Sequence, residues 1–403
     1  MKQLVAVAAI FFIAVPAAAR AQTGPVTASL STREPRNIAF RMGPVLISPN
    51  VAIPEFGYDS NVFDEDVNPK SDWTVRFTPD VTAYARSGVI QFAVTAGSEF
   101  TYFHEYESER SIAPQLLGRF DVTASRVKPW VAAAWVETNR RRNREIDARA
   151  KYTDQELSGG VAFDISAIAA LYGMAAFTEG RYDEGATFEG VNLDQSLSQR
   201  GREYSAGLRM QATPFTTLRF EGRTGETDFI NDPSRNTSNT GMRVHVDIAP
   251  EAILSGAAFV GYERVDFDDP LVADFRGVTS GGTLRYTILE TATLETTVDR
   301  RVDYSFETNR HYYVENGLDL TYTHRIRGPL DVQAVAARRW LDYSRVTPGL
   351  RPTVDRWGAG VGYNLQDRSR LSFNFEYAER VEPTRPERRY DRQRFFATFT
   401  VLR

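Results

Sequence analysis

Four histidines, His104, His245, His311 and His324, are the side chains of this 403-residue chain best suited to proton transfer or metal binding. Zinc-binding motifs such as His-Glu-x-x-His set two imidazoles one helical turn apart, and no pair here has that spacing. The chain has no cysteine, which leaves no thiolate nucleophile, disulfide framework or lipidated N-terminal cysteine. There is no Gly-x-Ser-x-Gly elbow. A serine–histidine–carboxylate set assembled across strands is defined in space, and that alternative stays open. "WGAGVGYN", residues 357–364, looks like a glycine-rich phosphate loop, but no helix follows it. Gly358, Gly360 and Gly362 alternate with other residues, so on a strand they form a small-residue stripe on one face. No metal, cofactor or catalytic residue is called for.

The charges are more informative, because they recur at every second position between apolar residues. Arg209, Arg219, Glu221, Arg223, Arg243, Asp247, Arg285, Glu295, Asp299, Arg301, Glu315, Asp319, Arg356 and Glu376 all share this polar parity. In "RLSFNFEYAER", Leu371, Phe373, Phe375 and Tyr377 point one way, and Ser372, Asn374, Glu376 and Ala378 the other. Arg300 alone falls on the apolar parity of its run, near a membrane edge or a bulge.

These alternating runs are about 10–15 residues long, whereas soluble strands average about 5–6. A tilted strand crossing a bilayer needs about 9–11. Tight connections near 86–88, 126–129, 213–215, 249–251, 328–329 and 367–369 alternate with longer polar ones at 64–71, 105–113, 140–152, 183–200, 231–238, 268–274, 344–352 and 381–389. Apolar parity often ends in an aromatic residue (Trp73, Tyr102, Trp130, Tyr312, Trp340, Tyr343, Trp357), as interfacial girdles require. Together these features predict an all-β transmembrane up-and-down antiparallel barrel of about 18 strands, from 50–62 to 390–402. The alternatives, a soluble sandwich or a propeller, do not account for the run lengths. Arginine near the bilayer midplane costs about 2–4 kcal/mol against lipid, so the charged parity faces the lumen. Both signs are present, which implies weak charge selectivity. The longest loop, 183–200, is the candidate for folding inward as a constriction; a plain surface loop is the alternative.

Lys2, the apolar run Leu4–Val15 and Ala19-Arg20-Ala21 read as a secretory signal peptide over residues 1–21, with an uncleaved anchor as the alternative. Its removal takes Lys2 and Arg20, leaving 46 basic and 52 acidic residues, a net charge of −6. A nucleic-acid partner would need a clustered basic face, and none is present. Residues 22–44 read as a periplasmic lead-in and 45–403 as the barrel.

The first run contains "PEFGYDSNVF", residues 54–63, where polar residues crowd the end of a strand. Gly57, Tyr58, Asp59, Asn61, Val62 and Phe63 in that position, behind a signal peptide, resemble the putative beta-barrel porin type 2 family of Gram-negative outer membranes. The resemblance covers essentially the whole mature chain. It implies an outer-membrane pore, not an enzyme, and a conduit for exopolysaccharide export. A general or nutrient diffusion porin is the alternative; a non-conducting structural barrel and an outer-membrane hydrolase are weaker ones. The partners implied are outer-membrane lipid, the barrel insertion machinery and a periplasmic polysaccharide export protein. Tyr313 is a lumen aromatic that could stack on a sugar. The chain departs from the usual barrel pattern in ending on Arg403 rather than an aromatic residue. Closure places Asp59 and Asn61 at one rim beside Arg392 and Arg394 of the last strand. Asp59 is therefore expected to meet one of these arginines across the seam, within the roughly 5–8 Å of cross-strand neighbours.

Overall fold

The computed structural model of the protein describes residues 40–343, 347, 349–365 and 369–401. The expected signal peptide, most of the lead-in and the Arg403 terminus lie outside the described residues. Eighteen strands form the wall: β1 (Val45–Asp59), β2 (Asp72–Ser87), β3 (Ile90–Phe103), β4 (Ser111–Val122), β5 (Val127–Thr138), β6 (Tyr152–Asp164), β7 (Ala169–Tyr182), β8 (Gln199–Thr213), β9 (Thr216–Phe229), β10 (Thr237–Ile248), β11 (Leu254–Phe267), β12 (Phe275–Ile288), β13 (Ala292–Tyr304), β14 (Tyr312–Arg327), β15 (Leu330–Asp342), β16 (Thr353–Leu365), β17 (Ser369–Val381) and β18 (Tyr390–Val401). Each pairs antiparallel with its sequence neighbour, and β1 pairs with β18 to close the sheet.

The strands run 12 to 16 residues, beyond the length that spans a bilayer. Closure leaves no unpaired edge, the condition for a sheet in lipid. The seam carries one irregularity, a register shift between Ile53 and Phe56 that takes up Pro54. Proline has no N–H to give the ladder, so a bulge is where it is tolerated. The first strand begins at Val45 and ends at Asp59, earlier at both ends than the expected 50–62. Phe40–Met42 turns back on it through Gly43, whose φ of 61° suits a residue without Cβ.

Connections span seven to sixteen residues at one rim and two to five at the other. Alternation sorts the faces as expected. Phe92, Phe220, Val260, Phe373 and Phe395 stand exposed on the outside, while the alternate residues, Arg219, Glu221 and Arg394 among them, point in. Trp73, Tyr102 and Trp357 are exposed on that outer face. Three expected girdle residues are not. Trp130 faces inward in register with Asp121 and lies 4.4 Å under the Arg119 guanidinium. Tyr312 is buried against Phe267 at the long-loop rim, and Tyr343 is buried beside Tyr313. At the long-loop rim, strand ends that overshoot the bilayer are roofed by loops, so parity there no longer reports contact with lipid; Trp130, at the short-turn end, instead has the inward parity of Asp121. Arg300 keeps its outward parity and reaches the Val278 carbonyl at 3.0 Å and the Asn316 side chain.

Candidate functional site

Opposed residues on neighbouring antiparallel strands share a face and lie within reach of each other. On the inner wall this brings acids against arginines in a continuous chain. Asp299 on β13 binds Arg339 on β15, which also binds Asp319 on β14. Asp319 accepts from Arg356 on β16 at 3.4 Å, and Arg356 reaches Glu376 on β17 at 3.2 Å. Glu376 takes Arg394 on β18 at 2.5 Å, and Arg394 lies 3.3 Å from Glu55 on β1, which also binds Arg76 on β2. This chain of alternating sign crosses the seam. Arg301 adds Glu315 at 2.7 Å, and Arg285 pairs Glu295 at 2.7 Å.

The opposite wall is built of separate pairs. Arg209 meets Asp164 at 3.3 Å, Arg219 meets Asp247 at 2.8 Å, Arg243 meets Glu263 at 3.4 Å, and Arg223 meets Glu203. Glu221 accepts from the Tyr172 hydroxyl at 3.0 Å and lies 3.6 Å from His245 Nε2. His245 also lies 3.5 Å from Arg219 and packs on the Phe259 ring.

Two glycines show how long side chains fit this wall. A Cβ on Gly317 would collide with the Arg339 guanidinium, and one on Gly362 with that of Arg370, which crosses to Asp331 at 2.6 Å. In the stripe Gly358–Gly362 on the inner face of β16, Gly360 and Gly362 seat the polar side chains of Asn374 and Arg370, while Gly358 lies against the Phe375 carbonyl.

At the seam rim, Arg392 Nε donates to Asp59 at 2.8 and 3.0 Å. Arg394 is opposite Asp59 in register, yet its guanidinium turns to Glu55 and Glu376. Asn61 donates to the carbonyls of Glu65 at 2.7 Å and Asp391 at 3.0 Å, tying the first loop over the joint.

The segment between β5 and β6, residues 139–151, crosses the bore as a strap. On one side Arg140 Nε reaches Glu99 at 2.6 Å, Arg141 reaches the Val62 carbonyl at 2.9 Å, and Arg149 lies 3.1 Å from Glu109. On the other, Arg380 Nη1 donates to the Arg144 carbonyl at 2.8 Å and to Asp147 at 2.9 Å. Glu145 is fully buried there. Its carboxyl accepts from the Ser305 and Tyr343 hydroxyls and from the Phe306 N–H at 3.1 Å, while Arg388 binds its carbonyl. Ile146 beside it is buried with Tyr152, Tyr182, Leu193, Leu197, Phe229 and Phe306. The strap and the inner wall enclose a cavity of about 470 Å³, to which the strap contributes Arg140, Arg141, Arg142, Arg144, Asp147 and Arg149.

The constriction is therefore formed by 139–151. The longer 183–198 folds into a short helix, Leu193–Leu197, which packs on Ile146 as part of the roof. Loop length misdirected the expectation. The signal lay in "RRRNREIDARA", residues 140–150, where a lone large apolar residue, Ile146, sits among arginines and needs a buried seat. Tyr313 is buried among Leu341, Tyr343 and Leu350 with its hydroxyl 3.2 Å from Asp303, so its ring is not open to a sugar.

A family model described as "Putative beta-barrel porin 2" matches residues 37–403. No curated protein matches the sequence. Among solved structures, Pseudomonas aeruginosa OccK2 (OpdF) superposes with a TM-score of 0.52 at 13% identity, covering 88% of this chain and 97% of that one. OccK2 (OpdF) in complex with glucuronate gives 0.51 at 13% identity, covering 88% and 98%. These likenesses establish a shared barrel fold.

Proposed function

The chain belongs to the family described as "Putative beta-barrel porin 2" and is a porin-like channel of the outer membrane; from this premise we propose that it is a passive diffusion channel for small hydrophilic solutes. The long loops are then extracellular, and outer-membrane lipid and the barrel insertion machinery are its partners. The strap carries the reading. Anchored on both sides of the bore, it leaves a cavity of about 470 Å³, within the roughly 300–1,000 Å³ of small-molecule sites. Arginines and carboxylates alternate along the wall, but the strap adds five arginines and one aspartate, so the cavity lining has more arginines than carboxylates and favours anionic solutes over the weak selectivity expected from the wall. The fold neighbour crystallised with glucuronate lends support, since a sugar acid is a solute of this size.

Polysaccharide export draws no support from the comparisons, and a polymer needs the bore that the strap occupies. The diffusion-porin alternative is the better supported. The family and the fold neighbours are porins, which supports a channel over an enzyme. Planar-bilayer recording and liposome swelling test the proposal. Stable conductance, with swelling by monosaccharides and sugar acids but not by oligosaccharides, is the expected result. A protein that is folded yet silent, or that admits long oligosaccharides, overturns it.

A further inference from the structure

The geometry points to the strap being a proton-operated latch, docked across the lumen while Glu145 holds a proton and released when that carboxyl ionises. This regulation rests on the channel reading of the same site. The strap has one apolar tooth, Ile146, and one carboxyl, Glu145, inserted together into the far side of the barrel, and both side chains are buried. Ala150 joins Ile146 in the same apolar cluster, and the ion pair of Arg380 with Asp147 docks the strap beside it, Arg380 itself being buried.

A carboxyl in such a seat is stable when neutral and costly when charged. The groups around it come from every loop packed on the strap. Ser305, Tyr343 and the Phe306 N–H hydrogen-bond its oxygens. Arg388 Nη2 donates to the Glu145 carbonyl, and Arg388 also faces Glu189 at 3.1 Å and Asp147 at 3.6 Å. Arg380 is held by Asp147 and Glu382. Arg235, from the loop after β9, donates to the carbonyls of Glu307, Ser305 and His311. Tyr182 on β7 packs in the cluster around Ile146, and Tyr313 on β14 packs on Tyr343. Asp147, next but one on the strap, is itself raised by burial and adds repulsion once ionised. Arg388 favours the ionised carboxyl, and burial outweighs it.

Burial, opposed by the Ser305 and Tyr343 hydrogen bonds, raises Glu145 from 4.5 to about 7. A carboxyl freed into water titrates near the lower value. Docking is therefore strongest below about 4.5 and weakens as pH rises through about 7. The docked-to-released ratio falls on the order of 100-fold across that window.

The absence of cysteine from the native chain makes the latch readable in the whole protein. In Ile146→Cys the single thiol is buried when docked. Its modification by a methanethiosulfonate, normalised to the unfolded protein at each pH, should rise on the order of 100-fold from pH 4.5 to 8. Adding Glu145→Gln, which keeps the neutral form, should hold the rate low throughout. Adding Tyr343→Phe, which takes a donor from the ionised carboxyl, should move the rise to higher pH. Heat-modifiable gel mobility verifies that each barrel is folded. A rate independent of pH, or a rise unchanged by both variants, overturns the latch. Bilayer conductance of the parent should increase over the same window. Silence at every pH with an intact labelling curve would sink the channel reading and leave the latch standing, while steady conductance would sink the latch alone.

Discussion

Asp59 and Arg392 show what a single residue contributes to this wall. Asp59 is 1% exposed and its carboxylate is bonded by Arg392. A buried charge that loses its partner is left desolvated and uncompensated, at a cost of about 3–5 kcal/mol. Arg392→Ala should therefore lower unfolding stability by that order in lipid vesicles, measured by denaturant titration. Neutralising both partners, Asp59→Asn with Arg392→Gln, should recover most of the loss. That these two residues share a rim follows from strand parity. That Arg392 rather than the directly opposed Arg394 makes the bond does not, because Arg394 is drawn away by Glu55 and Glu376 on its other flanks. The seats at Gly317 and Gly362 have the same origin: a glycine in a strand says that something needs the space, and only the neighbouring strand says what.

Among the elements, the strands were legible and the loops were not. A period of two survives in any strand with one apolar face, so the alternation from Val45 to Val401 located all eighteen. A loop has no period, and its path depends on what it meets. The strap is a separable element in one useful respect. Thr138 and Tyr152 stand opposite each other where β5 and β6 end, so a two-residue turn can close that hairpin directly. Replacing residues 139–151 with Asn-Gly should leave the wall intact. Single-channel conductance should rise severalfold, and the size limit for sugars in liposome swelling should move upward. Unchanged conductance would mean that the strap does not set the bore.

For the whole molecule, the division between lipid and lumen is the dominant physical fact. Phe220 is exposed on the outer face in mid-strand, and its neighbour Glu221 points inward. Phe220→Arg should cost about 2–4 kcal/mol of barrel stability in vesicles, the price of a cation near the midplane. The same arginine at the inward-facing Thr297, where acids lie close by, should cost little. Equal losses at the two positions would contradict the assignment of faces.

The amino-acid sequence by itself determined the barrel, the number of its strands and which side of each strand is wet. Those properties are written in local alternation and in the cost of placing charge in lipid. Which acid pairs with which arginine, which loop enters the bore, and where Glu145 and Ile146 find their seats were decided by the tertiary structure. The Glu145 contacts join residues more than a hundred positions apart, and no periodicity along the chain records who stands across the lumen.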